Sequence, residues 1–304
     1  MPDEPTYHDS TVAATGEAGD ARRLPPWLRV KTGKARQSRA THDLVAAYGL
    51  HTVCEGARCP NIGECYCQKT ATFMVMGARC TRDCRFCAVE HGTPCSLEPD
   101  EPQRVAAASA ALGLRYVVVT SVTRDDLPDG GASHFAATIH AVRETLPHAK
   151  VEVLTPDFRG DETCLHTVLQ AGPDVFNHNV ETVRRLQARV RPQASYETSL
   201  EVLRRASAAP APVKSGLMVG LGETGDEIRA TMDDLAQAGV VLLTIGQYLR
   251  PTRRHVPVAR YVPPEEFGQY VEWGKDAGIA HVFAGPFVRS SYRAAEAAAA
   301  LERR

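Results

Sequence analysis

The stretch MGARCTRDCRFCAVE (residues 76–90) carries Cys80, Cys84 and Cys87 directly after the apolar run ATFMVMG (residues 71–77). The run predicts a buried strand, and the three cysteines are expected in the loop that follows it. A structural zinc site takes four ligands and a disulfide takes two. Three cysteines therefore either recruit a fourth ligand, for which Cys95 is a candidate, or leave one coordination position open. A 4Fe–4S cluster with one iron free of protein ligands fits the second alternative.

Beyond this stretch, apolar runs alternate with amphipathic ones. Further strands are predicted at residues 116–122, 150–156, 174–180, 213–222 and 242–249, and helices at 101–112, 132–145, 200–208 and 226–238. Near-continuous apolar strands between helices indicate a parallel sheet. We expect an α/β fold, a partial (βα)6 TIM-like barrel with N-terminal and C-terminal extensions, although a doubly wound sheet has the same local pattern. Both folds place function at the carboxyl ends of the strands, where the segments TSVTRDD, NHNVET and GLGET lie.

The composition is that of an ordinary globular protein, with 304 residues, 35 Lys and Arg against 36 Asp and Glu, and 43% apolar residues. A net charge near zero gives no general argument for binding nucleic acid or a membrane surface, and neither is expected as a partner. No apolar run reaches the ~18 residues that a spanning helix needs. The N-terminus is acidic and has no Lys or Arg before Arg22, unlike a secretory signal or a mitochondrial presequence, so a cytoplasmic location is expected.

A second cysteine triplet lies in CEGARCPNIGEC (residues 54–65), which contains Cys54, Cys59 and Cys65. In a reducing compartment such crowded cysteines favour metal ligands over disulfides. Free buried thiols and a zinc knuckle are alternatives, but beside the first triplet a second iron–sulfur cluster is the better interpretation. The other cysteines, of which Cys67 would be cramped as a fourth ligand, are interpreted as small apolar residues: Cys67, Cys95 and Cys164.

The CxxxCxxC triplet after a strand resembles the radical S-adenosylmethionine (SAM) superfamily. The resemblance implies that the open iron binds SAM, which is split to methionine and a 5′-deoxyadenosyl radical that abstracts hydrogen from unactivated carbon. It points to contacts with the ribose from Asn179 and Glu181, with the methionyl amine from the segment containing Thr120 and Ser121, and with adenine or ribose from GLGET (residues 220–224). The alternatives are strand-end hydrogen bonds for Thr120 and Ser121, and a glycine turn before a helix for GLGET.

Both triplets together with RSSY (residues 289–292) resemble the lipoyl synthase family, and the likeness runs from about residue 25 to residue 293. The resemblance implies a sulfurtransferase that inserts two sulfur atoms, at C6 and C8, into an octanoyl chain on a lysine of a carrier domain. It also implies that Ser291 is the fourth ligand of an auxiliary 4Fe–4S cluster at the second triplet, and that this cluster is the sulfur source. From the residues alone, RSSY predicts an exposed helix start with a serine cap. Another sulfur-inserting radical SAM enzyme and a non-catalytic electron-transfer protein are the alternatives.

Four segments are predicted: a disordered or extended arm (1–40), an auxiliary-cluster segment (41–70), the barrel (71–288) and a C-terminal RSSY segment with a helix (289–304). A short helix capped by Thr41 is expected at residues 41–48. The basic run at residues 22–39 is either a solvated arm or a contact for an acidic partner. The implied partners are an octanoylated lipoyl carrier domain or glycine-cleavage H protein, an electron donor such as flavodoxin or ferredoxin, and an iron–sulfur carrier for cluster repair.

Overall fold

The computed structural model describes residues 24–29 and 35–302. The strands are, in chain order, β1 (Thr72–Val75), β2 (Arg79–Cys80), β3 (Glu90–His91), β4 (Tyr116–Ser121), β5 (Lys150–Leu154), β6 (Val175–Asn177), β7 (Val213–Val219), β8 (Val240–Gln247) and β9 (His281–Gly285). Seven of them form one sheet in the order β1-β4-β5-β6-β7-β8-β9, and every neighbouring pair is parallel. β2 and β3 pair separately, in the loop after β1.

Helices connect these strands. Their bounds are α1 (Ala35–Ala47), α2 (Val53–Gly56), α3 (Ile62–Cys67), α4 (Glu101–Leu112), α5 (Ala132–Thr145), α6 (Glu162–Gln170), α7 (Gln187–Val190), α8 (Tyr196–Ala206), α9 (Gly225–Gln237), α10 (Pro264–Asp276) and α11 (Ala294–Glu302). Short 3-10 turns lie at Pro26–Leu28, Phe158–Gly160 and Arg184–Leu186. The helices predicted at 101–112 and 132–145 have the predicted bounds, because a glycine stands next to each of them, Gly113 after α4 and Gly131 before α5, with positive φ.

The strand order decides between the two predicted folds. A doubly wound sheet reverses its strand order at a switch point, whereas this sheet adds each strand beside the previous one in chain order. The α/β partial barrel is therefore confirmed. It has a seventh strand, β9, that the sequence did not predict, because the half-buried segment HVFAG lacks the long apolar run of the other strands.

The N-terminal helix differs from its prediction. α1 begins at Ala35 rather than Thr41, since ARQSRA contains good helix formers. Thr41 lies inside this helix, and its Oγ1 donates to the Tyr66 carbonyl at 2.7 Å instead of capping. Of the arm predicted at residues 1–40 and the basic run within it, only residues 24–29 and 35–40 are described. The rest lie outside the described residues.

The barrel interior contains a buried ion pair. Lys214 Nζ on β7 lies 2.8 Å from Glu152 Oε1 on β5, and both side chains are 1% exposed. Tyr116 donates to the other carboxylate oxygen at 2.7 Å, and the Asn177 amide donates to Oε1 at 3.2 Å. Because buried charges are tolerated only when they are paired and hydrogen-bonded, these contacts join β4, β5, β6 and β7 around one polar centre.

Replacing Lys214 with methionine is expected to lower the free energy of unfolding by about 3–5 kcal/mol, because the buried Glu152 carboxylate then loses the ammonium group with which it pairs. Urea unfolding of the cluster-free protein measures the effect. Lys275→Met is the matched control: its pair with Glu272 has the same 2.8 Å separation but lies on the surface. The control should lose no more than about 1 kcal/mol. Equal losses in the two variants would contradict the prediction.

Candidate active site

The carboxyl ends of the strands surround one cavity of about 500 Å³. Thr120 and Ser121 reach it from β4, and Asn179 and Glu181 reach it from the segment after β6. β7 contributes Gly216 from its middle, and β7 and β8 contribute further lining residues. The prediction that these polar strand ends meet at one edge of the sheet is confirmed for TSVTRDD and NHNVET.

The segment GLGET, unlike the other two polar strand ends, is not part of the cavity lining. The described residues that line the cavity do not include 220–224. Glu223 turns back and accepts hydrogen bonds from the Gly220 and Leu221 amides, while Thr224 and Glu227 form a capping box at the start of α9. Gly220 and Gly222 have φ values of 96° and 108°, which glycine adopts at little cost. This geometry is that of the alternative, a glycine turn before a helix.

The first triplet, Cys80, Cys84 and Cys87, lines the cavity. Cys80 lies in β2 and the other two in the loop beyond it, where the Cys87 amide donates to the Cys84 carbonyl at 2.9 Å. Cys80 Sγ accepts from the Thr123 amide at 3.2 Å and from the Arg82 amide at 3.4 Å. These two hydrogen bonds tie the Cys80 sulfur to its own loop and to the segment after β4.

The thiols of the first triplet influence one another. Burial, with Cys84 and Cys80 adding to it, raises the pKa of Cys87 to about 12. Burial also raises the pKa of Cys84, against the opposing charge of Arg191. The raised pKa values of Cys84 and Cys87 favour their protonated forms, so metal ligation would replace these protons.

An ion-pair network, which the sequence did not predict, fixes the cysteine loop to the barrel. Arg82, between Cys80 and Cys84, is buried and reaches Asp125 Oδ2 through Nε and Asp157 Oδ2 through Nη1, each at 2.7 Å. A second bond to each carboxylate comes from Nη2. Burial opposes ionisation of Asp157, but the bonds from Arg82 outweigh it and lower the pKa of Asp157 to about 2. The only sequence signal was an arginine inside the triplet and RDD after β4.

Two cysteines of the second triplet line the same cavity, and the third, Cys65, is not among the lining residues. Cys54 on α2 and Cys59 line it, and Cys65 on α3 interacts electrostatically with both. Burial raises the pKa of Cys54 to about 11 and that of Cys65 to about 12, with the neighbouring thiols adding to each. The Cys59 amide donates to the Cys54 carbonyl at 2.9 Å, and the Cys65 amide donates to the Asn61 carbonyl at 2.9 Å, so the chain turns tightly through this segment.

The RSSY segment joins this second triplet across the length of the chain. Arg289, Ser290 and Ser291 line the cavity. The Asn61 side chain donates to the Phe287 carbonyl at 2.7 Å, and the Tyr292 hydroxyl donates to Glu64 Oε1 at 3.0 Å. These bonds flank Ser291 on both sides and hold it beside the cysteine-bearing segment.

Buried polar atoms on the barrel wall lack partners. Asn179 donates from Nδ2 to Glu181 Oε1 at 3.0 Å, but Asn179 Oδ1 and Ser121 Oγ have no hydrogen-bond partner among the described residues. Burial raises the pKa of Glu181, against Arg191 and Asn179. Thr120 Oγ1 donates to the Leu154 carbonyl at 2.9 Å, the strand-end bond that was its alternative. Because buried polar groups are normally satisfied, the orphaned atoms mark a surface that fits a polar ligand.

All nine cysteines are free thiols. Within residues 24–29 and 35–302, no group of three or more Cys, His, Asp or Glu side chains is arranged to hold a single metal ion. A cubane cluster takes one ligand at each iron, so its ligands surround a larger body than one ion. No helix in the described part of the chain is long and apolar enough to cross a membrane.

Comparison with known proteins gives the class first. The model of the radical SAM superfamily matches residues 74–235. The SuiB structure from Streptococcus suis bound to S-adenosylmethionine shares the fold, with a TM-score of 0.55 at 10% identity, over 74% of this chain and 53% of that one. Membership of the superfamily implies a 4Fe–4S cluster and SAM.

Two curated relatives then narrow the class. The lipoyl synthase of Oleidesulfovibrio alaskensis is 56% identical, covering 90% of this chain and 94% of its own. The lipoyl synthase of Nitratidesulfovibrio vulgaris is 55% identical, covering 95% and 97%. The chain belongs to the lipoyl synthase family, and it is therefore an enzyme, a sulfurtransferase.

Proposed function

We propose that this chain inserts sulfur at C6 and C8 of an octanoyl chain that is amide-linked to a lysine of a carrier domain, and that a second 4Fe–4S cluster supplies the sulfur. One observation carries the proposal. The first cysteine triplet, Cys54 and Cys59 of the second, Ser291, and the side chains of Asn179 and Ser121, each with a partnerless polar atom, line a single cavity, and Cys65 lies close enough to Cys54 and Cys59 to interact with both. A cavity that served one cluster alone would not need the second triplet.

The residues present fit the groups that the proposal requires. Cys80, Cys84 and Cys87 would hold the cluster of the superfamily, since their loop is tied to the barrel by Arg82 and its thiols converge. Cys54, Cys59, Cys65 and Ser291 would hold the auxiliary cluster. The segment at residues 41–70 and the one at 289–304 are thus assigned to the auxiliary site, and the barrel to the radical chemistry.

The target carbons decide which chemistry the proposal requires. C6 and C8 lie far from any activating group, so acid–base or nucleophilic side chains have nothing to act on. When bound, SAM and the first cluster supply a 5′-deoxyadenosyl radical that abstracts hydrogen, and the auxiliary cluster supplies sulfur. The chain's own residues would bind these groups, orient the acyl chain and exclude water from the cavity. Apolar lining suits the acyl chain, from Met74, Phe86, Val89, Leu154, Met218 and Leu249.

Asn179, Glu181, Thr120 and Ser121 are proposed as SAM contacts. Asn179 donates a hydrogen bond to the Glu181 carboxylate. The Glu181 backbone has a φ of 66°, and it is fixed to β7 because its amide donates to the Gly216 carbonyl and its carbonyl accepts from the Met218 amide. A non-glycine residue at positive φ is strained, and such strain persists where the surroundings fix it. The pair is thus held rigidly towards the cavity, as a binding surface for ribose hydroxyls requires.

Replacing Gly216 with alanine is expected to weaken SAM binding by roughly tenfold or more, because small misplacements in a site cost up to about 100-fold. A Cβ at Gly216 would lie 2.6 Å from Asn179 Oδ1 and displace this side chain. Equilibrium dialysis of SAM with reconstituted protein measures the effect. Gly268→Ala on α10 is the matched control, since nothing lies within 4 Å of the added Cβ. Unchanged SAM affinity in the Gly216 variant would remove Asn179 from the site.

The reaction itself is tested with reconstituted protein, SAM, a chemical reductant and an octanoylated carrier domain. The auxiliary cluster is built with a heavy sulfur isotope, and the carrier is analysed by mass spectrometry. Two heavy sulfur atoms in the product support the proposal. Unlabelled product would refute the sulfur source, and the absence of 5′-deoxyadenosine would refute the reaction class. The lipoyl domain and H protein as carriers, the flavodoxin or ferredoxin reductant, the iron–sulfur carrier and the cytoplasmic location stay predictions.

A further inference from the structure

Five arginines lie around the mouth of the cavity. Arg58 and Arg250 are among its lining residues, and Arg85, Arg253 and Arg254 are exposed on the adjoining loops. We call this set the arginine rim. The mechanism proposed above gives none of the five a role.

The loop at residues 250–256 is fastened to the loop of the first cysteine triplet. The Val256 amide donates to the Arg85 carbonyl at 2.9 Å, and His255 Nε2 lies 2.9 Å from the Cys87 carbonyl oxygen. Arg250 in turn donates from Nε to the His255 carbonyl at 2.8 Å. Since Cys84 and Cys87 line the cavity, these bonds place Arg250, Arg253 and Arg254 beside its opening.

The rim arginines are not neutralised. Within the part of the chain that the structure describes, none of the five forms an ion pair with a carboxylate, although exposed arginines elsewhere commonly do, as Arg185 does with Glu227 and Arg260 with Glu266. The carboxylates that line the cavity are Asp83 and Glu181. Glu181 is bonded to Asn179, and Asp83 lies 3.4 Å from His91 Nδ1, so neither of these two carboxylates pairs with a rim arginine. The rim therefore carries an excess of positive charge that the carboxylates lining the cavity do not neutralise.

We infer that the arginine rim is the docking surface for an acidic face of the carrier domain that presents the acylated lysine. The inference rests on the proposed function, because an acyl chain on a protein lysine can enter the cavity only if its carrier lies against the mouth. Complementary charge steers two proteins together and fixes their orientation. Arginine is also enriched at protein interfaces, where its planar fork binds carboxylates through two hydrogen bonds.

The rim is distinct from the basic run at residues 22–39. In that run Arg39 on α1 already lies 3.8 Å from Asp43, and most of the other basic residues lie outside the described residues. The two surfaces can be neutralised separately. A loss of affinity when only the rim is neutralised would therefore assign docking to the rim rather than to the basic run.

The test is the affinity of the full-length, cluster-loaded protein for the octanoylated carrier domain, measured by calorimetry without reductant. Arg253→Gln with Arg254→Gln is expected to weaken binding about tenfold at low ionic strength, and the difference should shrink as salt screens the charges. The control is Arg115→Gln with Arg204→Gln. Arg115 precedes β4 at the opposite end of the barrel, and Arg204 lies on α8, so affinity should change by no more than about twofold.

Each outcome decides something. Equal affinity in the rim and control variants would overturn the inference, as would a loss that salt does not diminish. Equally tight binding of an RNA oligonucleotide to the wild type, with the same dependence on the rim, would show a general polyanion surface and also overturn it. If the wild-type protein neither binds nor modifies the carrier, the proposed function fails instead. Matching thermal unfolding and iron content in all variants show that folding and cluster loading are intact.

Discussion

Replacing Cys84 with alanine is expected to abolish 5′-deoxyadenosine formation. Cys84 lies between Cys80 and Cys87 on the cavity wall, and its loss leaves a cubane with two protein ligands instead of three. A cluster held so poorly neither stays intact nor presents its open iron to SAM. The measurement is 5′-deoxyadenosine per chain after anaerobic reconstitution and reduction, with iron content determined on the same sample.

Cys95 provides the control, because it is the alternative fourth ligand of a zinc site. It is exposed and lies outside the set of cavity-lining residues. Cys95→Ala should retain iron, sulfide and 5′-deoxyadenosine formation at the wild-type level. A loss of metal in this variant equal to that in Cys84→Ala would place Cys95 in the ligand set and restore the zinc interpretation.

Replacing Ser291 with alanine is expected to separate the two halves of the reaction. Sulfur insertion should fall by roughly 100-fold or more, because losing a ligand costs at least as much as losing a residue that orients one. Formation of 5′-deoxyadenosine should persist, since the first triplet and its Arg82 anchor are untouched. Product analysis on the octanoylated carrier, together with 5′-deoxyadenosine counts, measures both quantities in one reaction.

Ser290 is a close control, since it also lines the cavity and differs from Ser291 by one position. Ser290→Ala should retain most of the sulfur insertion. Ser291→Cys should keep the auxiliary cluster but release sulfur more slowly, because a thiolate binds iron more tightly than a serine oxygen. If Ser290→Ala were the damaging variant, or if both serine variants were fully active, Ser291 would not be a ligand.

The fold could be predicted where the chain's local pattern decides it. α4 and α5 have the predicted bounds because their apolar periodicity coincides with glycine at one end. β9 could not be found, since it owes its extended form to the ladder it makes with β8 rather than to its own apolar content. The start of α1 was missed because a basic, polar segment was interpreted as an arm.

The site was predictable only in its local parts. Spacing within each triplet and the polar strand ends are short-range signals, and the structure places most of those residues around one cavity, with Cys65 and GLGET outside its lining. The contact between Asn61 and Phe287 spans 226 positions, and no local pattern reports it. The Arg82 network likewise draws on Asp125 and Asp157, which lie at the ends of two other strand segments. Ser291 became a candidate through family resemblance alone.

The bonds that join α3 to the RSSY segment impose an order on biosynthesis. A nascent chain that has emerged as far as β8 already contains the first triplet, Asp125 and Asp157, and the strands that carry them. It still lacks Phe287 and Tyr292, to which Asn61 and Glu64 attach. The loop of the first triplet and its Arg82 anchor can therefore form before residues 287–292 are synthesised, whereas the contacts that hold Ser291 beside the second triplet cannot. Folding of the surroundings of Ser291 is thus the later event in synthesis.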